Sequence, residues 1–358
     1  MSHTILELHS GFEKDYHRNF MALDSWTFDN VSQNEALINE LKGSLFEFRF
    51  GHELSRLSSC ENHFLQTLNA DFVTRLNSYE SWLRHNDRPL LKSLMKLGTE
   101  SAQFFLQQEQ GQKILKVELT GKSHDAQEFE GDVRLTFDSC VKKVSLKLCK
   151  DKAFVNTKSG GILSFIAKYF GDSFAVADLY QKELNLVVEQ SFNQLGQALY
   201  QEAMLGDFLG QFDQRWPAEW LLPGQLPDHL KQHMYDHYHR IISSLWHYFN
   251  QLSSLDPNKF QFCLRPLIGL GESEVVQLIC YHGEDKSQDL RYQLKKLSFR
   301  DYNVMTRELE KASLGNLSLG MSSFEIDLPN YILQIRVKPM NKINAKALKV
   351  NCSLKEKE

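Results

Sequence analysis

Residues Glu130–Gly161 carry an acid and several amines at a spacing that could bring them together. Val133, Leu135 and Phe137 alternate with Asp132, Arg134 and Thr136. Val144, Leu146 and Leu148 alternate with Lys143, Ser145, Lys147 and Cys149. Period-two alternation predicts two strands, each with one face in a core. Asp138-Ser139-Cys140-Val141 is short enough for a hairpin turn. With Asp138 paired to Val141, Asp132 falls opposite Lys147 and Arg134 opposite Ser145. Opposed residues hold their Cβ atoms about 4.5–5.5 Å apart, so a carboxylate and an ammonium share a surface facing away from the apolar side. The next segment, Lys150 to Gly161, adds groups suited to phosphate. Lys150, Lys152 and Lys158 are basic, and Asn156, Thr157 and Ser159 can donate hydrogen bonds. Gly160 and Gly161 allow close backbone approach ahead of a helix, whose free amides and dipole favour anions. Lys142 and Lys143 add charge at the hairpin turn. The Walker pattern is missing. The competing readings are a solvated sheet face with one cross-strand ion pair and a plain polar loop.

The elements that must position these groups follow from the rest of the chain. Its 358 residues suffice for two or three domains and a large core. Hydrophobic residues at 42% and charged residues at 24% match a globular protein. The net charge of −4 gives no whole-chain attraction for nucleic acid, so a polyanion site must be a local basic patch. Cys60, Cys140, Cys149, Cys263, Cys280 and Cys352 show no paired spacing, which predicts reduced thiols. Without an N-terminal signal pattern or an apolar run of about 20 residues, the expectation is a cytoplasmic protein with no membrane partner.

Helical spacing appears in Asn34–Leu41, His52–Leu65 and Phe72–Leu83. Pro89 can open a helix running to about Gln110, with Gly111 ending it. Ile114–Leu119 reads as a strand leading through a polar segment, Thr120 to Gly131, into the hairpin. Ile162–Phe170 reads as a short buried helix, followed by a longer one from about Phe174 to Leu205. Pro217, Pro223 and Pro227 mark a connection, and Asp228 could cap a helix reaching Leu252. Pro257 stops that pattern. Strands are expected at Phe260–Leu264, Val275–Tyr281, Phe324–Leu328, Tyr331–Val337 and Ala347–Cys352. This order predicts an α+β protein with an α/β core. A helical region spans 1–88, a core 89–210 and a helix-plus-strand region 211–358, the last either separate or adding strands to the central sheet.

An acid opening one strand and a lysine within the apolar alternation of the next resembles the PD-(D/E)xK nuclease superfamily, to which restriction endonucleases belong. The match covers about Leu90 to Phe170, under a quarter of the chain. Ser-Leu-Lys-Leu followed by Val-Asn-Thr-Lys-Ser-Gly-Gly also looks like restriction-type nucleases. The resemblance implies a mixed central sheet flanked by helices, with Asp132 as the first metal ligand and Lys147 as the motif lysine. It implies Mg²⁺, or Mn²⁺, held by hard carboxylate oxygens. Such a metal polarises a phosphate and lowers the pKa of a bound water, while a lysine offsets charge developing on the phosphate. Where the family has a carboxylate this chain has Ser145, and Gly131 replaces the proline before Asp132. Glu118 on the preceding strand or Glu100 on the preceding helix could supply the second acid, as could Asp172, Asp178 or Glu183 from a following helix.

Three further groups invite functional readings. Arg336, Lys338, Lys342, Lys346 and Lys349 form a basic run that could neutralise phosphates or discourage edge-to-edge sheet pairing. His233 and His237 share a helix face, but H-E-x-x-H is absent, and a solvated helix face is the plainer reading. Cys149 has no base placed beside it by spacing. The resulting expectation is a metal-dependent nuclease cutting DNA, in restriction or anti-phage defence, as a homodimer or with a defence-complex partner. Its rival is an inactive nucleic-acid-binding or complex-forming protein on the same fold.

Overall fold

A computed structural model of the chain describes residues 31–109, 111–120, 131–270, 275–286, 289–339, 342–344, 346 and 348–357. The N-terminal segment to residue 30, most of the polar Thr120–Gly131 stretch, Asn341 and Ala347 lie outside the described residues. The chain divides into two units, one from Met1–Ala153 and Glu272–Tyr302, the other from Phe154–Gly271 and Asn303–Glu358. Each unit joins segments distant in sequence, because strands far apart along the chain complete each sheet.

In the first unit, helices α1 (Val31–Leu57), α2 (Glu61–Thr67), α3 (Ala70–Asn86) and α4 (Arg88–Gln108) precede three strands, β1 (Ile114–Leu119), β2 (Val133–Phe137) and β3 (Val141–Lys150). Capping chemistry starts two of the helices. The Asn69 side chain accepts from the Asp71 amide at 2.8 Å to begin α3. Asp87 accepts from the Leu90 amide at 3.1 Å to begin α4, with Pro89 in the first turn as expected. Gly111 follows α4 at φ +85°, a conformation glycine adopts without strain. Gly98 lets α4 approach α1, since a Cβ there would lie 2.8 Å from Arg49 Cβ.

After the second unit's first segment the chain returns as β5 (Val275–Glu284) and β6 (Tyr292–Arg300). The sheet order is β1-β2-β3-β5-β6. The β3–β5 pair is parallel and the others are antiparallel, giving the mixed, helix-flanked sheet that was expected. Leu41, Phe46 and Phe50 from α1 and Leu94, Leu97 and Phe105 from α4 pack with Val133, Leu135, Val144, Leu146, Leu278 and Cys280 of the sheet. Strand β6 was not foreseen. A bulge between Tyr281/His282 and their partners leaves Lys295 extra, so Leu294 and Leu297 lose period-two spacing.

The second unit contains β4 (Val155–Gly161), α5 (Phe165–Phe170), α6 (Ala177–Glu202), α7 (Asp228–Leu255) and α8 (Pro257–Cys263). After α9 (Tyr302–Leu309), which begins at the unit boundary, come β7 (Ser313–Leu314), β8 (Ser323–Asp327), β9 (Tyr331–Pro339) and β10 (Leu348–Glu356). These strands form an antiparallel sheet ordered β4-β10-β9-β8-β7. The C-terminal strands thus build a second sheet instead of extending the first. Two expectations fail locally. Phe260–Leu264 is helix, not strand, because Asp256 caps it through the Lys259 amide at 3.0 Å and Pro257 sits in its first turn. The Asp228 carboxylate does not cap α7 but pairs with Lys231 at 2.7 Å. No helix among the described residues is long and apolar enough to cross a membrane.

His237 of α7 is buried, not on a solvated face, with Nδ1 2.8 Å from Ser191 Oγ. Burial lowers its pKa from 6.5 to about 4. Between those values the unfolded chain binds a proton that the folded one does not. The neutral imidazole therefore contributes stability that is full above pH 6.5 and lost as pH falls toward about 4. The loss by pH 4.5 is on the order of 2–3 kcal/mol. Urea unfolding at pH 7 and 4.5 should show a smaller acid-induced loss for His237→Gln than for wild type. Equal losses in both would show that His237 titrates normally.

Candidate functional site

Strand β2 pairs with β3 through Val133↔Val144, Arg134↔Lys143, Leu135↔Lys142 and Thr136↔Val141. The turn closes by the Phe137 amide donating to Cys140 O at 2.8 Å, one residue earlier than expected. The register is therefore shifted by two, and Asp132 is not directly opposite Lys147. The two still meet. The Asp132 amide donates to Val144 O at 2.8 Å, and Asp132 Oδ2 accepts from the Leu146 amide at 2.7 Å. That amide lies on the edge of β3 beyond its pairing with β2, so the carboxylate takes the place of a strand partner. Lys147 Nζ lies 3.7 Å from the same Oδ2, with both side chains about 30% exposed. Among the described residues, Asp132 Oδ1 accepts no hydrogen bond.

Ser145 is buried. Glu118 is 4.0 Å from His63 Nε2 and opposite Arg134 in the β1–β2 register. Glu100 lies 3.9 Å from Lys96 and close to the Cys280 thiol, which burial pushes up to about 12. Asp172, Asp178 and Glu183 belong to the second unit. The acids that share a recess with Asp132 are instead Glu40 and Glu47 of α1, together with Ser44, Thr120, Arg75 and Tyr79. The recess holds about 70 Å³, room for a few water-sized groups. Glu40, Ser44 and Glu47 follow i, i+4, i+7 spacing, the helical signal that could have singled them out. Nothing in the sequence alone pointed that face of α1 toward Asp132.

A larger cleft of about 490 Å³ lies along the edge of β3. It is lined by Asn39, Lys42, Lys147, Lys150, His282 and Tyr292, among others. Lys42 Nζ donates to the Tyr292 hydroxyl at 3.1 Å, and the His282 and Tyr292 rings lie 4.0 Å apart. Burial, then Lys42 and Lys150, lower the His282 pKa to about 4, leaving it neutral at pH 7.

The segment read as one phosphate loop is divided. Lys150 ends β3 and Lys152 turns at φ +60° in the first unit, whereas Asn156, Thr157, Lys158 and Ser159 lie in β4 of the second. The cause is pairing: β4 runs antiparallel to β10 from Val155↔Leu354 to Gly161↔Lys349. Thr157 Oγ1 lies 2.6 Å from Leu267 O and 3.0 Å from Cys352 O, and Ser159 Oγ donates to Asn351 Oδ1 at 2.9 Å. This pairing brings Ser159 near the C-terminal basic run. In the β9–β10 register Arg336 faces Asn351 and Lys338 faces Lys349. Directly opposed like charges are unfavourable, and burial with the neighbouring Arg336 lowers the Lys338 pKa. Lys346 is paired with Glu189 at 3.0 Å.

His233 contacts Glu202 at 2.6 Å and His239 contacts Met321 O at 2.8 Å, so with the buried His237 they do not converge. Among the described residues, no three His, Cys, Asp or Glu side chains meet closely enough to hold a metal by themselves. Burial raises the Cys149 pKa, which disfavours a thiolate. No protein-family model, curated protein or solved structure matches this chain.

Proposed function

We propose that the chain is a metal-dependent nuclease that hydrolyses DNA phosphodiester bonds beside the β2–β3 pair of its mixed sheet. The observation that carries this reading is the meeting of Asp132 and Lys147, 3.7 Å apart, with Asp132 also lining a recess that Glu40 and Glu47 share. DNA as substrate, a restriction or anti-phage setting, and a homodimer or defence-complex partner come from the resemblance alone. The donor set suits Mg²⁺ or Mn²⁺, being all oxygen. Among the described residues no three ligands converge, and Mg²⁺ needs none to, because it is commonly held by one or two carboxylates, waters and substrate phosphates. Asp132 with Glu47 or Glu40 would hold the ion, which supplies phosphate polarisation and a more acidic bound water.

The chain's own groups have separable tasks. The Leu146 amide fixes Oδ2 of Asp132 and leaves Oδ1 for a ligand. Lys147, anchored beside that carboxylate, presents a cation to the phosphate oxygens as negative charge develops there. Ser145 supports the strand from a buried position.

A second reading, nucleic-acid binding without cleavage, draws on Asp132 already serving the Leu146 amide and Lys147, with Ser145 where the resembled family has an acid. Incubation of plasmid with the full chain and Mg²⁺ or Mn²⁺ separates the two. Wild type should cut, Glu47→Gln should cut less, and Lys147→Ala should lose about 10²-fold or more in rate, a typical cost of removing one charge-stabilising donor. Salt-sensitive binding with no cleavage under any divalent ion would select the second reading.

A further inference from the structure

The cleft beside Lys147 contains charge that hydrolysis at Asp132 leaves unused. Lys42 from α1 and Lys150 from the end of β3 join Lys147 on one concave surface of about 490 Å³, and Glu284 is the only acid among the described residues lining it. Among the described residues, neither Lys42 nor Lys150 has a carboxylate within ion-pair distance. Lys42 Nζ is held by the Tyr292 hydroxyl at 3.1 Å. The His282 ring lies against Tyr292, and its buried Nδ1 has no hydrogen-bond partner among the described residues. Burial, and after it Lys42 and Lys150, disfavour protonation of that imidazole, so both ammonium groups lie near enough to act on it. A neutral imidazole retains one N–H, and Asn39 adds an amide donor at the rim. Ammonium groups plus neutral donors around a space this size suit a multivalent oxyanion.

We infer that this cleft binds a phosphate group through Lys42, Lys150 and His282, namely the backbone phosphate of a DNA strand next to the one engaged at Asp132 and Lys147. The inference rests on the proposed nuclease reading for its source of phosphate, but not for the phosphate chemistry itself. A free phosphate or nucleotide presents the same oxygens.

The test uses the full chain in EDTA, so that binding is read without cleavage. Fluorescence anisotropy with a labelled DNA duplex measures affinity against salt, and calorimetry with inorganic phosphate tests the other source. The paired variant Lys42→Gln/Lys150→Gln should bind duplex at least about 10-fold more weakly. Its plot of log affinity against log salt should be shallower by about 0.9 for each phosphate that the variant no longer neutralises. Lys42→Arg/Lys150→Arg should restore most of the affinity and slope, and Lys231→Gln, whose ammonium pairs with Asp228 and does not line the cleft, should change neither. If the paired variant melts early, each single glutamine variant should show about half the slope change. Lysine-dependent binding of inorganic phosphate without duplex binding would keep the site and assign it to free phosphate. Unchanged duplex affinity and slope in the glutamine variants, or no binding of either probe by wild type, would overturn the inference. The two proposals fail separately. Plasmid cutting with lysine-independent binding removes only the cleft, whereas lysine-dependent binding without cutting under Mg²⁺ or Mn²⁺ removes only the hydrolysis.

Discussion

Asp132→Asn is expected to reduce metal-dependent plasmid cleavage by about 10²–10³-fold, the effect of losing several kcal/mol of charge stabilisation, while the protein melts close to wild type. An asparagine carbonyl can still accept from the Leu146 amide, which Asp132 Oδ2 now holds at 2.7 Å. It cannot supply the negative charge that a divalent ion requires. Asp132→Ala should lose the same activity and also stability. The Leu146 amide would lose its acceptor at the edge of β3, at a cost of about 1–2 kcal/mol because the site is partly wetted. Comparing the two substitutions therefore separates the chemical task of the carboxylate from its structural one. Plasmid assays paired with thermal melts make the comparison. Cleavage by Asp132→Asn at the wild-type rate would remove Asp132 from the chemistry, whatever the alanine variant does.

Phe105→Ala should produce the largest loss of stability in the unit that carries this site. Phe105 on α4 is fully buried, lies edge-on to Phe50 of α1 at 5.8 Å and is tilted against Phe299 of β6 at 5.9 Å. One ring thus joins two helices to a strand on the far side of the parallel β3–β5 pair. Truncation removes its apolar burial and leaves a cavity that three elements must collapse together to fill, a cost of about 3–5 kcal/mol. Phe105→Leu refills most of the volume and should cost only about 1–2 kcal/mol. Hydrogen exchange of the β2, β3 and β5 amides reads the loss where it occurs. Alanine and leucine variants with equal protection would mean that the ring is not a packing centre.

Local rules written in the chain itself determined much of this protein. Asn69, Asp87 and Pro89 start their helices because short polar side chains accept from amides a few residues on and proline loses no bond in a first turn. Alternation over Ile114–Leu119, Val133–Phe137 and Val141–Lys150 set the first three strands, because side-chain direction in a strand reverses at each residue. The same alternation marked Asp132 and Lys147 as neighbours, although the turn falls one residue earlier than its composition suggested. What depended on long-range pairing could not be read that way. Strand β4 joined β10 instead of forming a phosphate loop, β6 was hidden by its bulge, and Asp256 with Pro257 opened a helix in place of a strand. Glu40 and Glu47 met Asp132, and Lys42 met Lys150 and His282, only through the packing of α1 against the sheet. A helix face declares its own periodicity, but its partner is chosen by burying apolar surface across the whole unit, and that choice is not encoded within any short window of residues.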